Sequence, residues 1–265
     1  MLGTGRAMVT RCYHTCFALK NGDEYLLVDA GGGNGILAQI EKAGIPWQNL
    51  RSMFVTHAHT DHVLGVIWVI RVIASLMESQ KYVGNFTIYC HAELGRAIAA
   101  ICELTLPGNI VRALGRTIML QTVEDGETCQ AAGLDLTFFD IGSTKTKQFG
   151  FEALLPDNQR LVCLGDEPCK EGGKPYVQNC DWLLCEAFCL YEDRDIFRPY
   201  EKHHSTALDA GRMAEELHVK HLILYHTEDS NLGERKALYT REAEAVFSGA
   251  VFVPDDLEVI SLAPN

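Results

Sequence analysis

Metal-binding residue types are concentrated in one short stretch of the chain, residues 56–62, with the sequence Thr-His-Ala-His-Thr-Asp-His. It contains His57, His59, Asp61 and His62, and imidazole and carboxylate groups are the ligands that zinc and similar metals prefer. In an extended loop, His57 and His59 point to the same side and can bind one metal ion. Asp61 and His62 point elsewhere and can bind a second ion. A polar, His-rich loop that binds no metal is the alternative interpretation.

Two apolar segments must position this stretch. Residues 51–56 predict a short buried strand, and residues 63–77 predict an apolar helix. The metal-binding residues would then lie at the carboxyl end of a strand, in the loop that enters a helix, which is where open α/β sheets bind their ligands. The helix is too short to span a bilayer and contains Arg71, so we expect it to be buried or to form a subunit interface.

Size and composition indicate a soluble globular protein without a membrane segment. The 265 residues suit one large domain, 1–265, and the formal net charge is −12. Such an acidic chain argues against a strong nucleic-acid-binding surface. No secretory signal is evident, so we expect the ten cysteines to be reduced and the protein to be cytoplasmic. A homodimer is also expected, because the helix at 63–77 offers more apolar surface than one face can bury.

The pattern His57-x-His59-x-Asp61-His62 resembles the signature of the metallo-β-lactamase-fold hydrolases, and later residues resemble their ribonuclease Z-like branch. The resemblance covers most of residues 7–262. It implies an α/β fold with four layers, an αββα sandwich, and the order of predicted strands and helices in the two halves favours the same arrangement. Residues 257–262 are expected to form the closing strand of this sandwich.

The resemblance also implies the remaining metal ligands. Asp166 ends an apolar strand, 161–164, and matches the aspartate that bridges the two metal ions in the family. His226 ends the apolar run 221–225 and matches the last ligand, so it would join Asp61 and His62 on the second metal. The first metal would be held by His57, His59 and Asp166.

Glu186 and His204 resemble a further pair of the ribonuclease Z-like branch. There the histidine is a general acid or contacts the substrate phosphate, and the glutamate orients it. We therefore expect these two residues and Asp61 to act in catalysis. Ser205 is expected to cap the following helix, and the alternative is that His204 merely lies beside this cap.

One ligand of the family is missing from this chain. The family has a further histidine on the first metal, yet residues 92–202 contain none. The matching position lies near Gly142 or Thr144, so we expect a weakened first site, with Asp140 as the candidate substitute ligand. Lys145 and Lys147 could instead contact a substrate phosphate, and a solvated loop is the alternative for these two lysines.

These observations predict a metal-dependent hydrolase that uses a metal-activated water. Two divalent ions are expected, zinc first, with Mn²⁺ or Fe²⁺ as alternatives. Ribonuclease Z proper carries a long tRNA-binding arm between its third and fourth motifs, whereas here residues 143–165 have room only for a hairpin. The expected substrate is therefore a small phosphodiester or an RNA end. A small ester, lactone or thioester hydrolase and a mononuclear iron oxygenase are the alternative functions.

Overall fold

The computed structural model describes residues 1–262, whose strands form two mixed sheets. The first sheet contains, in spatial order, β1 (Phe17–Asn21), β2 (Glu24–Val28), β3 (Leu50–Phe54), β4 (Phe86–Cys90) and β5 (Ile118–Thr122). The second contains β12 (Ala250–Phe252), β11 (His221–Tyr225), β10 (Trp182–Glu186), β9 (Arg160–Cys163), β8 (Phe149–Leu154), β7 (Leu134–Asp140) and β6 (Thr128–Ala131).

Helices follow the strands along the chain. They are α1 (Gly35–Lys42), α2 (Thr60–Glu78), α3 (Ala92–Thr105), α4 (Gly108–Val111), α5 (Lys174–Val177), α6 (Arg194–Phe197), α7 (Ala207–Glu216) and α8 (Arg235–Glu244). Short 3₁₀ turns occupy Trp47–Asn49, Tyr191–Asp193 and Tyr200–Lys202. Strands β2 to β5 run parallel to one another, and so do β9 to β12. Each of these parallel sets therefore ends at one edge of its sheet.

The two sheets pack face to face around an aromatic core. Phe54 of β3 contacts Phe138 of β7 and Phe151 of β8, with ring centroids 5.1 and 5.4 Å apart. Successive residues of a strand point to opposite faces, so Phe138 lies between the sheets whereas Phe139 packs under the outer helices. Central strands are thus buried on both faces, which explains their continuous apolar runs.

Helices cover the outer face of each sheet. Residues of α1, α2 and α3 pack against the first sheet, and residues of α7 and α8 pack against the second. The result is the predicted four-layer αββα sandwich, and the hairpin predicted for residues 143–165 is present as β8 and β9. The predicted closing strand is wrong. Leu257 has a left-handed φ of 68°, the Glu258 amide donates to the Asp255 carbonyl within a turn, and residues 257–262 pair with no strand within residues 1–262.

Helix α2 is longer than its apolar run and carries part of the metal-binding stretch. It begins at Thr60, so Asp61 and His62 lie in its first turn and not in the preceding loop. By length and composition α2 is apolar enough to cross a membrane. However, most of it is buried inside the protein, against α1, α3 and the first sheet. This packing covers much of the apolar surface from which a homodimer is expected, and the homodimer stays a prediction.

Gly65 allows α2 to approach the end of β2 closely. A Cβ at this position would lie 1.8 Å from the carbonyl oxygen of Ala30, and the Gly65 amide already donates to Gly31. Gly95, in α3, offers a matched control, because a Cβ there would lie 3.4 Å from the sulfur of Cys90.

We predict opposite effects of alanine at these two glycines. In an unobstructed helix, Gly→Ala stabilises by about 1 kcal/mol, whereas overpacking costs about 1–3 kcal/mol or more. Gly65→Ala should therefore lower the free energy of unfolding measured with denaturant, and Gly95→Ala should leave it unchanged or raise it. Equal stability of the two variants would show that α2 is not packed against the β2 loop as described.

Candidate metal centre

The candidate ligands come together where parallel strands of both sheets end. His57 and His59 follow β3, Asp166 follows β9, and His226 follows β11 directly. Asp61 and His62 reach the same place from the first turn of α2. Their donor atoms form two groups, each with all atoms within 4.8 Å of one another, and a third group of Asp166, His204 and His226 links them. The first two groups are His57, His59 and Asp166, and Asp61, His62 and His226.

Asp166 lies at the centre of the whole arrangement. Its Oδ2 atom is 3.4 Å from His57 Nε2, 3.8 Å from His59 Nδ1, 3.9 Å from His62 Nε2 and 3.8 Å from His226 Nε2. Two atoms that bind one zinc ion at about 2.0–2.2 Å in tetrahedral geometry lie roughly 3.3–3.6 Å apart. One carboxylate oxygen among four imidazoles therefore has the position that a bridging ligand requires.

Asp61 completes the second group. Its Oδ2 atom is 3.4 Å from His62 Nε2 and 3.5 Å from His226 Nε2, and all three side chains are buried. In the first group, His57 Nε2 and His59 Nδ1 are 2.8 Å apart, and the side chain of His59 is 40% exposed. The second group is thus the more enclosed one, and the first is open to solvent on the side of His59.

Several polar atoms of the centre have no hydrogen-bond partner in the described part of the protein and are free to bind a metal ion. Within residues 1–262, buried atoms without a hydrogen-bond partner include His62 Nε2, His226 Nε2 and Asp166 Oδ1. A buried polar atom without a partner costs about 1–3 kcal/mol, so several of them in one place require a ligand to offset that cost. Imidazole nitrogens and carboxylate oxygens that converge in this way suit zinc or iron.

The charges of the centre reinforce this arrangement. Burial alone would raise the pKa of Asp166, but the surrounding imidazoles, His57 first, lower it well below its usual value. The pKa of Asp61 is likewise lowered, because hydrogen bonding to His226 and His62 outweighs its burial. Burial lowers the pKa of His57. The carboxylates are therefore ionised at neutral pH, as metal ligands must be.

Asp29 and Thr56, which the sequence analysis missed, orient two of the imidazoles. Asp29 Oδ2 accepts from Thr56 Oγ1 at 2.8 Å and faces His62 Nδ1 at 2.7 Å, and Thr56 Oγ1 lies 2.9 Å from His57 Nδ1. Since the threonine hydroxyl donates to Asp29, it accepts from His57. Both imidazoles then carry their proton on Nδ1, and their Nε2 atoms face the centre. The sequence did contain a signal for Asp29, because it is an acidic residue directly after β2, the neighbour of β3.

Gln148 packs closely against Gly165, the residue before Asp166, and the sequence analysis identified neither residue. Gly165 has a left-handed φ of 77°, and a Cβ there would lie 2.1 Å from Gln148 Nε2. Gln148 is fully buried, and neither of its amide atoms has a hydrogen-bond partner among residues 1–262. Glycine is therefore required immediately before the central aspartate, for both its conformation and its size.

The predicted pair of Glu186 and His204 lies at the edge of the centre. His204 Nδ1 is 3.7 Å from Glu186 Oε2, and its donor atoms lie within 4.8 Å of those of Asp166 and His226. The ring of His204 stacks on Phe188, with centroids 4.5 Å apart. Burial raises the pKa of Glu186 well above its usual value and lowers that of His204 to about 2. Burial therefore favours the neutral form of each group, and neither Glu186 Oε2 nor His204 Nδ1 has a hydrogen-bond partner among residues 1–262.

Ser205 holds Glu186 in place and does not cap α7. Its amide and hydroxyl donate to Glu186 Oε1 at 2.6 and 2.8 Å. The N-cap is Thr206, whose side chain and that of Asp209 form a capping box. The predicted cap was thus wrong by one residue, because the serine hydroxyl is committed to the buried carboxylate.

The three residues predicted around the missing ligand, Asp140, Lys145 and Lys147, lie in different places. Asp140 faces its own loop, since its Oδ1 accepts from the amide of Gly142 at 2.8 Å, and the ligand groups formed by residues 1–262 do not include it. This placement argues against Asp140 as the substitute ligand. Lys147 Nζ lies 5.2 Å from the ring centre of Phe149. Lys145 Nζ lies 3.3 Å from His204 Nε2, at the centre's edge.

Comparison with known protein families shows which family the chain belongs to. The family described as Anti-Pycsar protein Apyc1 matches residues 1–240. The chain belongs to this family. The matched residues include every candidate metal ligand from His57 to His226.

More distant relatives and solved structures agree with the fold of this Apyc1-family protein. It is 25% identical to ribonuclease Z of Nitrosopumilus maritimus, over 97% of each chain. Human tRNase Z, short form (ELAC1), is 20% identical, with a TM-score of 0.75 over 99% of this chain and 98% of that one. The metallo-β-lactamase fold protein YhfI from Bacillus subtilis is 20% identical, with a TM-score of 0.72 over 96% and 94%.

These comparisons confirm the prediction of a ribonuclease Z-like hydrolase with the metallo-β-lactamase fold. The protein is a metal-dependent hydrolase.

We predict that Asp29→Asn weakens metal binding with little loss of fold. Asparagine fits the left-handed backbone of residue 29 (φ 55°) but presents a neutral amide to His62 Nδ1. Loss of such an orienting carboxylate typically lowers metal affinity by about 10- to 100-fold. Competition with a chromogenic chelator measures the affinity, and Asp23→Asn in the exposed β1–β2 turn is the control. Wild-type affinity in Asp29→Asn would contradict the orienting role.

Proposed function

We propose that this protein hydrolyses a small phosphodiester with the help of two divalent metal ions. The observation that carries the proposal is the position of Asp166, whose single carboxylate oxygen lies within 4 Å of four imidazoles from two ligand groups. His57, His59 and Asp166 would hold one ion. Asp61, His62, His226 and Asp166 would hold the other. Zinc is the expected metal, because the donors are imidazoles and carboxylates.

The two ions would supply a hydroxide at neutral pH and stabilise charge on the phosphate oxygens. The chain's own residues do the rest. Asp29 and Thr56 fix the protons of His62 and His57 on Nδ1, so that the Nε2 atoms stay available as ligands. Asp61 Oδ2 lies 3.4 and 3.5 Å from the Nε2 atoms of His62 and His226, and these neighbours lower its pKa, so its carboxylate is ionised and would bind the second ion.

The leaving oxygen needs a proton, and the Glu186–His204 pair has one to give. Both groups are buried, burial favours their neutral forms, and the carboxyl group of Glu186 lies 3.7 Å from His204 Nδ1, close enough to reach it after a small movement. Ser205 fixes the carboxylate of Glu186 through two hydrogen bonds, and Phe188 fixes the ring plane of His204 by stacking. His204 Nε2 faces the centre beside Asp166, so it can pass the proton to the leaving oxygen while Glu186 replaces it at Nδ1.

A small substrate fits the surroundings of the centre better than a folded RNA does. The segment between the β7 loop and Asp166 is only the short hairpin of β8 and β9, which leaves no long arm for gripping tRNA. The net charge of −12 also opposes binding along an RNA backbone. The relatives named ribonuclease Z support phosphodiester chemistry, and the missing arm supports a smaller phosphodiester, such as a cyclic nucleotide or an RNA end.

We predict a preference for phosphodiesters in a substrate panel. The metal-loaded protein should hydrolyse bis(p-nitrophenyl) phosphate and small cyclic nucleotides with far higher kcat/KM than p-nitrophenyl acetate or a lactone. A chelator should abolish the activity, and added Zn²⁺ or Mn²⁺ should restore it. Preference for the carboxyl ester would replace the phosphodiesterase by an esterase. Oxygen uptake by a protein with one bound iron would replace it by an oxygenase.

We predict that His204→Ala retains two equivalents of metal but loses activity. General acid catalysis contributes about 10²–10⁴-fold, so kcat should fall by that factor for a substrate with a poor leaving group. The loss should shrink for a nitrophenolate leaving group, which needs no proton. Glu186→Gln should show the same dependence on the leaving group, more weakly. Equal losses for good and poor leaving groups would remove His204 from proton transfer.

A further inference from the structure

A buried carboxylate next to the centre anchors the loop in which the metal-binding histidine is missing. Glu167 follows Asp166 directly, and its side chain is fully buried. Its Oε1 accepts from Ser143 Oγ at 2.5 Å, and its Oε2 accepts from Lys170 Nζ at 2.8 Å. Lys145 Nζ lies 3.7 Å from Oε1. One buried anion thus holds two ammonium groups and a hydroxyl.

The ammonium of Lys145 faces the centre. It lies 3.3 Å from His204 Nε2, and its side chain is only 20% exposed. Its backbone amide contacts Ser143 Oγ, and Thr144 Oγ1 lies 3.2 Å from His203 Nδ1, so the loop packs on the segment that carries His204. Lys145 is therefore held in position from two sides.

The charges around Glu167 do not balance. Lys170 alone would neutralise Glu167, and Lys145 adds one positive charge on the side that faces His204. Beside a metal-loaded centre the ammonium of Lys145 would be repelled by the metal ions, and an anion bound between them would offset this repulsion. Lys147 differs from Lys145, because its ammonium lies 5.2 Å from the ring centre of Phe149.

We propose that Lys145, held by Glu167, binds a non-bridging oxygen of the substrate's phosphate beside His204. This inference rests on the proposed function and deepens it. The loop that contributes a metal-binding histidine in similar hydrolases here contributes a cation for the substrate. Lys145 makes the centre selective for anionic phosphodiesters over neutral esters, and Glu167 is its positioning residue.

The test compares single variants of the metal-loaded protein. Lys145→Met should raise KM for bis(p-nitrophenyl) phosphate by about 10- to 100-fold, the effect of losing one charged hydrogen bond. It should weaken binding of inorganic phosphate, measured by calorimetry, by a similar factor. Any residual hydrolysis of neutral p-nitrophenyl acetate should be unchanged. Lys145→Arg should restore much of the phosphate affinity, because it keeps the charge.

Two further variants distinguish the positioning of Lys145 by Glu167 from a general effect of losing one positive charge. Glu167→Gln keeps Lys145 but releases its ammonium, so KM should rise while metal content stays at the wild-type value. Lys42→Met, at the end of α1, removes the same charge from the distant first layer and should leave KM and phosphate affinity at wild-type values. A rise in KM in this control would indicate a general charge effect.

The outcomes distinguish the two proposals. A wild-type protein that hydrolyses no phosphodiester defeats the proposed function, and phosphate binding then still tests Lys145. Wild-type KM and phosphate affinity in a folded, metal-loaded Lys145→Met protein would overturn this inference and leave the hydrolase intact. Equal losses for the charged and the neutral substrate would also overturn it, because they would place Lys145 in maintaining the centre.

Discussion

The structure depends on one costly feature, the buried carboxylate of Asp166. An ionised carboxylate removed from water is stable only where cations or donors surround it. Here four imidazoles surround it, three from segments that follow strands of the two sheets and one from the first turn of α2, and the metal ions they suit would neutralise it. The sandwich architecture makes this possible, because the parallel strands of both sheets end at the same edge and bring residues distant in sequence to one point.

The backbone around this point is bent at several strand ends. Asp29, which follows β2, and His226, which follows β11, both have a left-handed φ, 55° and 56°, although neither is glycine. Such conformations cost of order 1 kcal/mol or more each and persist where the surroundings determine them. Both turns send a side chain sharply out of the strand direction. At Asp29 the turn directs the carboxylate to His62, so part of the folding free energy is used to orient a ligand.

The sequence was sufficient for those features that local pattern determines. His57, His59, Asp61 and His62 lie close together in the chain, and Asp166 and His226 each end an apolar run, so their convergence followed from strand direction. The sequence was insufficient where contacts are distant. That Asp29 faces His62, or that Ser205 donates to Glu186 while Thr206 caps α7, depends on side-chain directions that neither periodicity nor propensity contains. Leu257 shows the opposite failure, since an apolar run with strand character was overridden by a turn.

The missing histidine has a physical consequence that local pattern also could not give. Without it, the first ligand group has two imidazoles and a shared carboxylate, and one of the imidazoles is partly exposed. The sequence suggested that Asp140 would compensate, but the carboxylate of Asp140 caps its own turn and leaves that group unchanged. The same loop instead directs Lys145 toward His204 and ties it to Glu167. A lysine cannot bind a metal ion while it is protonated, so the loop's contribution to the centre is positive charge. A loop that adds positive charge beside a metal centre would act through an anion, and under the proposed function that anion is the phosphate of the substrate.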